Sequence, residues 1–115
     1  MNLDGLTIGQ AKEIAAMFNV SDGNPVSPYD GLIGGNVMVR TVTMIYVGKL
    51  IAAHRHELVL TDASWIPETG RWAQFIKEGN ISECEPYPYD MEVIIGRGAV
   101  LDACKWLSEL PRKQK

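Results

Sequence analysis

Two short polar stretches carry the side chains best suited to chemistry in this chain: "HRH", which is His54-Arg55-His56, and "GRG", which is Gly96-Arg97-Gly98. An imidazole can stack on a base or ligate a metal, and a guanidinium can stack, fork onto a phosphate or pair with a carboxylate. If "HRH" continued a strand, His54 and His56 at i and i+2 would share a face and offer two metal ligands beside Glu57 or Cys84. Cys84 and Cys104, however, stand at no zinc-binding spacing, so no metal is expected. Arg97 has two readings, a ligand contact or an internal ion pair with Asp62 or Asp102. The chain contains no Gly-x-Ser-x-Gly, Walker loop or HExxH pattern, and "GRG" lacks the spacing of a phosphate-binding glycine loop. Neither catalysis nor a cofactor is therefore expected. Trp65, Trp72 and Trp106 are read as core or subunit-contact residues rather than base platforms.

Composition narrows the class of molecule that must position these groups. A chain of 115 residues suits one domain with a modest core. Its net charge of −3 excludes a protein that coats nucleic acid with a broad basic surface, so any such site must be local. The one basic cluster, "PRKQK" at Pro111 to Lys115, reads as a solvated end or as an arm that touches phosphate. No apolar stretch approaches the roughly 20 residues of a membrane span. The first residues lack the basic and apolar regions of an export signal, so a cytoplasmic location and reduced, partly buried cysteines are expected.

Periodicity then assigns the elements. Thr7 and Gln10 form a capping box, and Ile8, Ala11, Ile14, Ala15 and Phe18 share one face of a helix over 1–18. Residues 19–35 are rich in Gly, Pro, Asn, Asp and Ser and read as a loop. Residues 36–64 are rich in Val, Thr, Ile and Tyr and predict three strands, the first with Val37, Val39 and Thr41 alternating against Met38, Arg40 and Val42. Residues 65–91 form an insertion in which Trp72, Phe75 and Ile76 have helical spacing and Gly79 is the C-cap, followed by a proline-containing connector. Residues 92–108 predict two more strands, and 109–115 a tail. The fold expected is mainly β: an N-terminal helix before a strongly bent five-stranded barrel, with a helical insertion between strands 3 and 4.

The order of these elements resembles the Sm-like family, which includes the eukaryotic Sm proteins and the bacterial RNA chaperone Hfq. Val37, Val39, Gly48, Leu50, Leu58, Leu60, Asp62 and Ala63 fall where the family's first motif has its apolar positions, its Gly-x-Leu and its closing Asp-Ala. "VIIGRGAVLDAC" resembles the second motif, with Arg97 and Gly98 at its Arg-Gly pair. Together the matches cover 36–63 and 92–106. Stretches such as "LTDASWI" and "GRGAV" are also similar to small proteins encoded by bacteriophages and prophages.

The resemblance implies a homo-oligomeric ring, closed by pairing the fourth strand of one subunit with the fifth of the next, and single-stranded RNA or nucleotide at the pore. Arg97, Gly98, His54, Arg55 and His56 are then the binding residues. The family's Asp and Asn between strands 2 and 3 are replaced here by the region of His54, His56 and Glu57, so binding there would use imidazole stacking and the Arg55 charge instead. Gly48 and Gly98 are expected at a barrel bend and at the turn between the last two strands, where a side chain would be crowded or strained. The alternative is a phage-derived structural ring without RNA binding, in which Trp72 and Phe75 engage a protein partner or a neighbouring subunit and Arg97 is an interface charge.

Overall fold

The computed structural model describes residues 27–115, so the helix expected over 1–18 lies outside the described residues. The chain divides into two compact units, Met1–Gly31 and Leu32–Lys115. At their boundary Pro28–Leu32 forms a 3-10 turn. Ser27 caps it, since its hydroxyl accepts the Tyr29 N–H at 3.2 Å and its carbonyl accepts the Asp30 N–H at 2.9 Å.

The second unit is a bent antiparallel sheet of six strands with one helix. The strands are β1 (Asn36–Thr41), β2 (Ile45–Ala53), β3 (Glu57–Glu68), β4 (Glu83–Pro86), β5 (Val93–Gly96) and β6 (Val100–Lys105), and helix α1 (Trp72–Glu78) lies between β3 and β4. The strand order is β4-β3-β2-β1-β6, with β5 also on β3. β3 is long enough to hold β5 along its first half, Glu57 to Leu60, and β4 along its second, Ser64 to Glu68.

That connectivity dictates the curvature. In a flat sheet β5 and β6 would lie four strand spacings apart, roughly 19 Å. They are joined only by the 3-10 turn Arg97–Ala99, and four Cα steps span at most about 14 Å when fully extended. The sheet must therefore curl until its two ends approach each other. Bulges allow the bend: Asp62 and Ala63 on β3 oppose the single residue Gly48 on β2, and Asp62 takes the left-handed conformation at φ 49. A Cβ on Gly48 would lie 3.0 Å from the Ala63 Cα and 3.3 Å from the Thr61 carbonyl oxygen, which is why glycine stands there.

Both sheet faces are buried in places. Leu50, Leu60 and Val93 form one cross-strand row over β2, β3 and β5, and Leu58 and Ile95 a second. All five are buried. On the opposite face Met38 and Val47 pack with Ile66, Phe75, Ile81, Cys84 and Trp106. β1 is thus buried on both sides rather than half-buried as its alternation predicts, with Met38 only 2% exposed, because the insertion covers the second face. Phe75 is wholly buried, its ring 4.9 Å from that of Trp106, and its burial contributes about 1.5–3 kcal/mol. Tertiary packing of this kind must hold α1, whose seven residues are too few for a stable isolated helix. Gly79 ends it in the left-handed conformation at φ 76, the predicted C-cap.

Two expectations about the periphery are corrected. "ECEP" is a strand, not part of a connector: an edge strand tolerates the missing N–H of Pro86, and β3 runs on to Glu68 to pair with it. The tail, though its last three side chains are exposed, is not a free end. Lys115 exchanges both backbone hydrogen bonds with Cys84, at 2.9 and 3.0 Å, covering the outer edge of β4. Ser64 Oγ donates to the Pro111 carbonyl at 2.9 Å, and the Arg112 guanidinium donates to the Ala63 and Tyr87 carbonyls at 3.2 and 2.6 Å while stacking over Tyr89. The charged cluster that reads as polar and free is instead a strap.

Two stability measurements follow. Gly48→Ala should lower the unfolding free energy by about 1–3 kcal/mol in a denaturant titration, since the bulge must open to admit the methyl group. Arg112→Ala should cost about 1–3 kcal/mol by leaving the Tyr87 carbonyl without its donor and the Ala63 carbonyl with only the Tyr87 N–H, and should speed hydrogen exchange at the Cys84 amide.

Candidate nucleic-acid interface at the joined turns

The two polar stretches meet at one end of the sheet. β2 ends at Ala53, and the His54 N–H donates to the Glu57 carbonyl at 2.7 Å, which closes a tight hairpin with His54, Arg55 and His56 at its tip. All three side chains are exposed. Across the sheet Glu57 pairs with Gly96, and the Arg97 N–H donates to the His56 carbonyl at 2.9 Å. Segments about forty residues apart in sequence are thereby locked together through the backbone. Arg97 is half-buried and Gly98 exposed, and the backbone holds this Arg-Gly step against the tip of the His54-Arg55-His56 turn.

The histidines lie in a turn and not on a strand, so they do not share a strand face as a paired metal site would require. Among the described residues no three His, Cys, Asp or Glu side chains gather as metal ligands. Gly98 is also corrected. A Cβ there would meet nothing within 4 Å, and its φ lies outside the left-handed region, because the link is an ordinary 3-10 turn. Gly96 likewise has open space around it. Neither glycine is therefore required there by a strained turn.

Asp102 pairs in bidentate fashion with Arg40 across β6 and β1, its Oδ1 accepting the Arg40 Nε–H at 3.0 Å. The hydrogen bond and charge of Asp102 raise the Arg40 pKa. Asp62 Oδ1 accepts the Asp90 N–H at 3.2 Å, holding the end of the insertion against the β3 bulge. Arg40 also sits 5.0 Å above the Trp72 ring. Sequence spacing gave no sign of this Trp72-Arg40-Asp102 stack, since it joins α1, β1 and β6.

Of the two residues expected to meet a partner, Trp72 is on the surface at 39% exposure, whereas Phe75 is committed to the core. Trp106 is buried with its Nε1–H donating to the Glu109 carbonyl at 3.0 Å, and Trp65 is partly exposed. Neither outer strand edge at the turn-bearing end is covered by another strand among the described residues, since β5 pairs only with β3 and β6 only with β1. Each presents an exposed aliphatic side chain, Ile94 at 66% and Leu101 at 62%.

No protein-family model and no curated protein matches the chain. A chain from a solved structure titled "Crystal structure of the NatC complex bound to CoA" is similar over 70% of this chain and 86% of its own, at 18% identity and a TM-score of 0.45. Likeness at that level says nothing about activity. Among the described residues no helix is long and apolar enough to cross a membrane.

Cys84 and Cys104 are unpaired, and burial pushes both thiols up from their ordinary pKa. Since the thiolate is the nucleophile, iodoacetamide should label both at pH 8 more slowly than a free cysteine, and the contrast should disappear in denaturant. Labelling at the free-thiol rate in the folded protein would contradict their burial.

Proposed function

We propose that this protein is a ring-forming Sm-like protein that binds single-stranded RNA or nucleotides where the two turns meet. The observation that carries the reading is the Arg97 N–H to His56 carbonyl hydrogen bond, which places the Arg-Gly step beside the His54-Arg55-His56 turn. A guanidinium and imidazoles carried on joined turns suit recognition of a phosphate and a base together. The strand order supports the reading as well. With α1 and β4 taken as an insertion, β1, β2, β3, β5 and β6 stand for the five strands of an Sm-like barrel, and a 3-10 turn links the last two. The open edges of β5 and β6, with Ile94 and Leu101 exposed, are the edges such a ring would pair between subunits.

A second reading is favoured by one feature. Trp72 presents a large exposed ring braced by Arg40, which suits a ring whose insertion docks a protein partner rather than RNA.

Equilibrium binding of fluorescent single-stranded oligoribonucleotides at low salt separates the two. The RNA reading predicts measurable affinity that weakens with added salt and falls about tenfold or more in Arg97→Ala, with subunit number unchanged. Absence of RNA affinity at low salt would sink it, and loss of partner capture on Trp72→Ser would then support the second reading.

A further inference from the structure

The basic tail is not used by the joined turns, yet the fold holds it in a fixed place. Pairing between Lys115 and Cys84 ties the end of the strap to β4, and the chain bends at Lys113. Gln114 Nε2 donates to the exposed Glu85 carboxylate at 3.2 Å, and Arg112 clasps the Ala63 and Tyr87 carbonyls. Lys113 and Lys115 line a groove of about 540 Å³ between the strap and the loop that follows α1. Its walls include the apolar Ile81, Cys84 and Leu110, and Asn80 offers a side-chain amide.

The charge of this groove is opposite to that of the chain. Lys113 and Lys115 contribute two cations to its lining, against the carboxylate of Glu109, in a protein of net charge −3; the Arg112 guanidinium beside them is engaged by the Ala63 and Tyr87 carbonyls. The volume falls in the range of small-molecule sites, and apolar walls beside a cationic strap fit a ligand with an acidic head and a less polar body.

We propose that the groove between the C-terminal strap and the α1–β4 loop binds a small phosphate-bearing molecule, with Lys113 and Lys115 holding the phosphate and Ile81 and Leu110 contacting the remainder. This site is separate from the joined turns and does not depend on RNA binding there.

Isothermal titration calorimetry of the full chain at low salt, with inorganic pyrophosphate and separately with AMP, tests it. Saturable binding of AMP or of both probes is expected, weakened about tenfold in the K113Q/K115Q double variant and unchanged in Arg97→Ala. Both lysines are exposed, so the double variant should keep the parent's circular dichroism and thermal midpoint. No binding of either probe at millimolar concentration overturns the proposal, as does binding that the double variant leaves intact. Loss of binding in Arg97→Ala instead would assign the anion to the joined turns and equally overturn it. RNA affinity measured on the same K113Q/K115Q protein keeps the two sites distinguishable.

Discussion

The structure depends on a length constraint. β5 and β6 sit at the two ends of the five-strand path β5-β3-β2-β1-β6, yet only three residues, Arg97 to Ala99, lie between them. A flat sheet cannot satisfy both facts, so the sheet curls, and the bulge opposite Gly48 lets the long strand β3 bend without losing its partners. The same constraint places Arg97. A connector pinned to both ends of a curled sheet has little freedom, and the His56 carbonyl accepts its first N–H. The backbone position of Arg97 is thus a consequence of topology.

The insertion and the strap complete what the curled sheet leaves open. α1 brings Phe75 onto Met38 and Val47 and so gives the sheet a second apolar face to bury. β4 extends the sheet beside β3, and the strap closes the outer edge of β4 through Lys115, which leaves that side without a bare strand edge. The edges of β5 and β6 are treated differently. They carry exposed Ile94 and Leu101, and no strand among the described residues covers them. That asymmetry, one side sealed and the other open, is the physical basis of the proposal that subunits meet at β5 and β6.

Much of this was legible in the residues, and the failures share a cause. Alternation in 36–64 marked the first three strands, helical spacing of Trp72, Phe75 and Ile76 marked α1, and Gly79 marked its end. What escaped depends on tertiary partners. Met38 alternates like a surface residue but is buried by a helix more than thirty positions away. "ECEP" has a connector's composition and becomes a strand because β3 and the strap flank it. Lys113 and Lys115 look like a solvated end for the same reason, since nothing local reveals that Cys84 pairs with the main chain there. At the candidate interface the residue types were apparent, but the hydrogen bond that joins the turns spans about forty residues and has no signature in spacing. Gly98 failed in the opposite direction, because a glycine in a turn invites a conformational explanation that its ordinary torsions and open surroundings remove.

Subunit assembly through the open β5 and β6 edges is the claim on which the proposed site most depends, since a pore exists only in a ring. Native mass spectrometry of protein purified gently at low salt tests it in one spectrum. A single closed oligomer of defined subunit number, lost when Leu101→Lys and Ile94→Lys charge the two edges, is the result the account predicts. A monomer at micromolar concentration would contradict it.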